Sequence, residues 1–344
     1  MLRNIQALRA IAALLVVHAH ATRELGLVFR GGTYGVDLFF VISGFIITYV
    51  ASTESSQFLT RRLIRIVPTY WLATLALFAL VLVMPTWFRT TSSDVGLLIR
   101  SLVFIPDSSN VRFDLPHPTL AGGWTLNYEM YFYVVFTIAL WISRRNPTPI
   151  VIGVLGTVIA VSWLTSLHQL QLARFYGHPI VLEFIFGMLV FHFVRYTESH
   201  APAQRSGQVQ KWLLLTSVVA GLVLLVGLEE MLGGSDRWMT GGIPAFVVVG
   251  SAVMLERVYG YRITDKLLLR IGDASYVLYL THVYVAVGTA RLLIGNRKFS
   301  EFSGQLVVLG LIAVATAVAV AIHVYCEKPM LAYLKRRLIR PTPA

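Results

Sequence analysis

Residues 6–20 read Gln6-Ala7-Leu8-Arg9-Ala10-Ile11-Ala12-Ala13-Leu14-Leu15-Val16-Val17-His18-Ala19-His20. Apart from Arg9, His18 and His20, no side chain between Ala7 and Ala21 is polar. A helix over residues 8–27 is long enough to cross roughly 30 Å of hydrocarbon. Arg3 and Arg9 ahead of an apolar run ending Ala19-His20-Ala21 imitate a cleaved secretory leader. Further apolar stretches follow, however, so the segment is expected to stay as a start-transfer helix.

Those stretches occupy about 35–51, 66–84, 123–143, 149–166, 178–197, 211–228, 241–257, 274–294 and 304–326. Together with the first they predict an all-α polytopic bundle of about ten transmembrane helices. Composition agrees: the 344 residues are 56% hydrophobic and 13% charged, with a mean hydropathy of +0.69, whereas soluble domains carry roughly 25% charged residues. Val95 to Pro106 is too short to cross and contains Arg100, which suits a re-entrant or interfacial segment. No repeat, low-complexity tract or long linker interrupts the pattern, and the longest polar loop runs about 196–210. Residues 1–344 are therefore expected to form a single membrane domain with no attached soluble domain.

A net charge of +12 could suggest nucleic acid, so the placement of the charges decides. With the N-terminus inside, most of the 29 Lys and Arg residues fall in cytoplasmic segments, among them Arg61, Arg62, Arg65, Arg205, Lys335, Arg336, Arg337 and Arg340. Both termini are thus expected in the cytoplasm of a bacterial inner-membrane protein, as an even number of spans also requires. The charge is a topology signal, and no nucleic-acid partner is expected. The tail from Leu334 to Arg340 suits anionic lipid headgroups. The lone Cys326 excludes an intramolecular disulfide framework and argues against a cysteine-ligated metal.

An ionisable side chain at membrane depth costs about 2.5–3.5 kcal/mol on insertion scales, so each one is a candidate for function. Arg9 and His20 are three turns apart, share a helix face and are separated by roughly 16 Å along the axis. His18 points about 200° away from His20. Arg61, Arg62 and Arg65 precede Pro68; guanidinium forks bind phosphates well, and positive-inside anchoring would also place arginines here. Glu129, at the end of Gly122-Gly123-Trp124-Thr125-Leu126-Asn127-Tyr128-Glu129, is expected roughly 8 Å inside the outer boundary, at a depth like that of His20. Asp37, in Tyr34-Gly35-Val36-Asp37, could equally be a helix-start carboxylate. The ninth span opens Ile271-Gly272-Asp273-Ala274-Ser275-Tyr276, with Asp273 or Ser275 as its expected cap, and carries His282 near mid-membrane. Glu183, His178 and His323 are further candidates. No Gly-rich phosphate loop, zinc-type His spacing or G-x-S-x-G elbow occurs, and Ser43-Gly44 reads as helix packing.

Residues 6–20 resemble the first helix of the acyltransferase-3 family, marked by Arg, ten residues, then His, which Arg9 and His20 match. The resemblance continues through Gly35 to Phe45, Arg61 to Ile66, Trp124 to Glu129 and Gly272 to Tyr276, five motifs in family order. Trp124-Thr125-Leu126-Asn127-Tyr128-Glu129 is similar to the ExoZ-type exopolysaccharide O-acetyltransferase branch. Many relatives carry a second glutamate where this chain has Met130, and some carry an extracytoplasmic SGNH domain that is not expected here.

The resemblance implies an acyl-CoA donor, most simply acetyl-CoA, reached from the cytoplasm, a carbohydrate hydroxyl as acceptor, surrounding membrane lipid and no metal. On that reading Arg9, Arg61, Arg62 and Arg65 hold the donor phosphates, and His20 is the general base. Glu129 or Asp37 would orient it, and Trp124, Asn127, Tyr128, Tyr276 and His282 would line the acceptor site. Direct transfer and a covalent acyl-histidine both stay open. The alternative is a non-enzymatic transporter or flippase of a glycan or lipid-linked sugar, because buried charges also mark substrate pathways.

Overall fold

A computed structural model describes residues 2–29, 31–53, 57–85, 93–107, 111–112, 115–165, 169–200, 207–232, 236–293 and 298–339. The predicted span ends at 166 and 294, together with Arg205 and Arg340, lie outside the described residues. The helices are α1 Arg3–Glu24, α2 Gly35–Thr53, α3 Phe58–Val83, α4 Val95–Leu102, α5 Trp124–Ile142, α6 Thr148–Leu164 and α7 Gln171–Tyr176. They continue as α8 Leu182–Ser199, α9 Gln208–Leu232, α10 Ile243–Arg257, α11 Lys266–His282, α12 Gly288–Leu293, α13 Glu301–Ile322 and α14 Lys328–Leu338. Five-residue π-helical turns at Trp238–Gly242, Val283–Val287 and His323–Glu327 lead into α10, α12 and α14. Val111–Arg112 pairs antiparallel with Leu115–Pro116 in a minimal ribbon.

Each of the ten predicted stretches is helical. Seven helical runs are long and apolar enough to cross a membrane: Arg3–Glu24, Gly35–Thr53, Phe58–Val83, Gln171–Ser199, Gln208–Leu232, Trp238–Arg257 and Glu301–Leu338. Thr148–Leu164 is shorter. Asn127 and Glu129 in α5, and Arg270 and Asp273 in α11, dilute the apolar character of the other two. The expected cap of the ninth span is corrected. Its helix begins two turns earlier, where Asp265 accepts a hydrogen bond from the Leu268 backbone N–H at 2.6 Å, and Asp273 lies mid-helix, bonded by the Gln6 amide.

One compact unit comprises Met1–Tyr49 and Leu182–Val324. Its centre is α1, which packs against α10, α11 and α13. Being alanine-rich and apolar nearly all round, α1 is a good helix former and can be buried on most of its faces. The Glu256 carboxylate of α10 caps it, accepting from the backbone N–H groups of Arg3 at 3.0 Å and Asn4 at 2.7 Å. Glu229 does the same for the turn entering α2, accepting from Gly32 at 2.7 Å, Thr33 at 3.0 Å and Tyr34 at 3.2 Å. Gly32 has φ +131°, and any Cβ there would run into the Leu15 carbonyl. Helices α2 and α8 cross with Gly44 against the Phe184 carbonyl and Gly187 against the Val41 carbonyl, leaving no room for a side chain at either position. Ser43-Gly44 is thus a packing element, as its sequence suggests. Leu38, Val41, Phe45, Val190 and Val249 fill one core of this unit, and Ala13, Val17, Val277, Val308 and Ala315 another.

The second unit comprises Val50–Val181 and Tyr325–Ala344. In it α3 packs against α4, α5 and α14, and α5 against α6. Phe58 stacks on Phe136 at 5.4 Å, while a Cβ at Gly123 would stand 2.8 Å from the Tyr70 hydroxyl. These two contacts set α3 and α5 antiparallel. At 8 residues α4 is far too short to cross; Asp94 caps it, and the Trp71 indole N–H donates to its terminal Leu102 carbonyl at 2.8 Å. Val83, Trp141 and Leu164 expose 79%, 78% and 85% of their surfaces, an apolar exterior that suits hydrocarbon rather than water.

Candidate active site

In the first unit, His20 lies one turn above Val16 on α1. Its Nδ1–H donates to the Val16 carbonyl at 2.8 Å, which leaves the Nε2 lone pair free to accept a proton. The Val16 carbonyl thus holds the ring, while Asp37, a carboxylate the sequence offers for that task, pairs with Arg237. The His282 ring meets His20 edge to face, with centroids 4.8 Å apart and planes at 71°. His282 is 2% exposed, and its own Nδ1–H donates to the Tyr279 carbonyl at 2.7 Å, so that Nε2 is buried with no hydrogen-bond partner. Two histidines more than 260 residues apart are thereby brought together, each held through Nδ1. Arg9 is buried three turns below His20 on the same helix. Tyr276, half-buried, precedes His282 by six residues on α11.

Asp37 belongs to a different cluster in this unit. It is fully buried and paired with Arg237, whose Nη2 lies 2.7 Å from Oδ2 and whose Nε lies 3.1 Å and 3.2 Å from the two oxygens. Arg237 also donates to the Thr33 carbonyl at 3.0 Å and covers the Tyr34 ring at 5.1 Å. Glu183, fully buried as well, interacts electrostatically with both Asp37 and Arg237. Gly241 and Gly242 admit the two carboxylates: a Cβ on Gly241 would clash with Asp37, and one on Gly242 would stand 2.9 Å from the Glu183 side chain. The helix-start reading of Asp37 is therefore incomplete. Sequence reasoning passed over Arg237, which lies just ahead of a span and matches no motif.

In the second unit, Arg62 is over Phe58 at 6.0 Å and interacts electrostatically with Tyr133, Arg65, Glu129 and Arg61. The Tyr133 hydroxyl donates to Glu129. Glu129 is thus level with the arginine cluster. The antiparallel packing of Phe58 on Phe136 is the reason, since it sets Arg62 and Arg65 opposite residues 129–133. The Arg62 Nε is buried without a hydrogen-bond partner. On another side of α5, Trp124 meets Tyr128 edge-on at 6.0 Å, and Tyr128 stacks on Phe175 at 4.0 Å, with His178 at 6.5 Å. Asn127 is 2% exposed.

The chemistry available is therefore a proton-accepting imidazole beside a second histidine in one unit, and a partly buried arginine cluster with an aromatic and amide wall in the other. A family model described as an acyltransferase domain matches residues 2–324. The chain is 30% identical over 321 residues to the exopolysaccharide production protein ExoZ of Rhizobium meliloti (strain 1021), covering 91% of this chain and 93% of that one. It is 26% identical over 340 residues to the acyltransferase MdmB of Streptomyces mycarofaciens, covering 89% and 82%. It is 24% identical to the O-acetyltransferase OatA of Staphylococcus aureus (strain NCTC 8325 / PS 47), covering 83% of this chain and 51% of that one. No solved structure matches.

Proposed function

The chain belongs to the acyltransferase family, and from that premise we propose that it O-acylates a polysaccharide at the bacterial inner membrane. The donor in this proposal is cytoplasmic acyl-CoA, with acetyl as the transferred group, and the acceptor is a hydroxyl of an envelope or exported glycan. Ten helices span the bilayer, with both termini in the cytoplasm. The names of the relatives, an exopolysaccharide production protein and an O-acetyltransferase, support the acceptor class and the acyl group.

The observation that carries the proposal is the hydrogen bond from His20 Nδ1 to Val16, which in the neutral ring puts the lone pair on Nε2, where it can act as a base. The acceptor hydroxyl oxygen attacks the thioester carbonyl while His20 Nε2 takes its proton. The new C–O ester bond forms, the C–S bond breaks, and the CoA thiolate leaves and recovers the proton from the imidazolium. Arg61, Arg62 and Arg65 hold the donor phosphates, with Arg9 contributing from its own helix; the unpartnered Arg62 Nε is suited to an anionic ligand. A carbonyl-oriented histidine needs no carboxylate to fix its tautomer, so Asp37 and Glu129 support charge balance around Arg237 and Arg62.

The test uses purified protein in detergent, radiolabelled acetyl-CoA and an extracted cell-envelope glycan. Replacing His20 with Ala should slow acyl transfer about a hundred- to ten-thousandfold while donor binding persists. Equal turnover by the His20→Ala variant would remove the base from the mechanism. Absence of CoA binding in a folded preparation would favour a glycan transporter.

A further inference from the structure

Helix α5 has two polar sides. Glu129 and Tyr133, one turn apart, face Arg62. Asn127 and Tyr131, also one turn apart, lie on nearly the opposite side, about 160–200° round from Glu129. Asn127 is 2% exposed, yet neither its Oδ1 nor its Nδ2 has a hydrogen-bond partner. The Tyr131 hydroxyl is equally buried and unpartnered, although its ring is only partly covered. That ring meets Tyr176 of α7 at 4.9 Å and 59°.

A buried amide offers two donors and one oxygen with two lone pairs. Leaving such a group unsatisfied is costly, and buried polar side chains are otherwise almost always bonded. An amide kept for stability would have a protein partner, whereas one kept for a ligand waits for it. The surroundings narrow the ligand. Neither Asn127 nor either tyrosine carries a cationic charge, so an anion gains no ionic partner from them. An acyl chain would leave the amide unpaired. A pyranose fits: neighbouring hydroxyls can donate to Oδ1 and accept from Nδ2, and the C–H face of the ring can lie on an aromatic wall.

We propose that Asn127, Tyr131 and Tyr176 form the monosaccharide-recognition subsite for the acceptor, with the Asn127 amide reading two adjacent ring hydroxyls. The inference rests on the acceptor being a carbohydrate, as in the function proposed above, and adds the residues that choose among sugars. Tyr131 and Tyr176 stand outside the motifs legible in the sequence.

The experiment measures binding and transfer separately for the full-length wild type, Asn127→Leu, Tyr131→Phe and Tyr176→Phe. The probes are gluco- and galacto-configured oligosaccharides and their monodeoxy analogues, and acetyl-CoA binding serves as the control for folding. Asn127→Leu should weaken glycan binding roughly ten- to hundredfold, the range expected when a buried hydrogen-bonding group is lost, with acetyl-CoA affinity unchanged. One monodeoxy sugar should bind the wild type more weakly than its parent and the Leu variant no more weakly, a signature that a merely structural asparagine would not give. Unchanged glycan affinity in Asn127→Leu, or wild-type protein that binds none of the sugars, overturns the subsite. If the sugars bind and the variant loses them while no protein transfers acetyl, the subsite stands and the transferase mechanism fails.

Discussion

Removing Arg237 strands the Asp37 carboxylate beside the Glu183 carboxyl. Asp37 and Glu183 are both fully buried, and the guanidinium holds Asp37 at 2.7 Å while interacting with Glu183. Breaking a buried pair by deleting one partner costs about 3–5 kcal/mol, because the remaining charge has nowhere to go. At about 2 °C per kcal/mol, Arg237→Gln should lower the melting midpoint by roughly 6–10 °C, read by intrinsic fluorescence of the detergent-solubilised protein. Counting charges also orders a set of variants. Asp37→Asn leaves the Glu183 carboxyl beside the guanidinium and should be the mildest. The double variant leaves Glu183 alone and should melt above Arg237→Gln, though it has lost more native groups. A midpoint for Arg237→Gln within about 2 °C of wild type would refute this account, with the cost of a broken buried pair as its basis. So would a double variant that melts below the single.

Two further outcomes follow from the packing and from the arginine cluster. Gly187→Ala puts a methyl group against the Val41 carbonyl and the Phe45 backbone nitrogen, so it should abolish the monodisperse peak in fluorescence-detected size-exclusion chromatography. Arg62→Ala should weaken acetyl-CoA binding about tenfold, an effect that shrinks as salt is raised and surface charge is screened; affinity independent of both would remove Arg62 from the donor site.

Hydrophobic pattern revealed helices because it is local: every predicted span is helical, and Arg9 and His20 share α1 as their spacing requires. Partnerships between helices were not legible, because they depend on which segments become neighbours. His20 and His282 can each be named from sequence, but only the packing of α1 on α11 brings their rings to 4.8 Å. Arg237 reaches Asp37 across 200 residues from a position that lies just ahead of a span and matches no motif. The nearness of Glu129 to Arg62 was not legible because depth counted from a helix end says nothing about how far the neighbouring helix is shifted along its own axis. The orphaned Asn127 amide was invisible for a simpler reason: a missing hydrogen bond is a property of surroundings, not of residue type.

The π-helical turn at Val283–Val287 begins immediately after His282 and hands over to α12 at Gly288. Such a turn accommodates one residue more than α-helical winding would, so everything beyond it is rotated by about 100°. Arg291 owes its direction to that surplus residue, and its Nε reaches Glu24 at 2.5 Å from there. Loss of a single codon in this stretch would leave an unbroken helix and an unchanged hydropathy profile. It would nonetheless swing Arg291 away from Glu24 and carry the buried Ala290 off its seat. Chain length between His282 and Arg291 is therefore under tighter constraint than the identity of the valines that fill it.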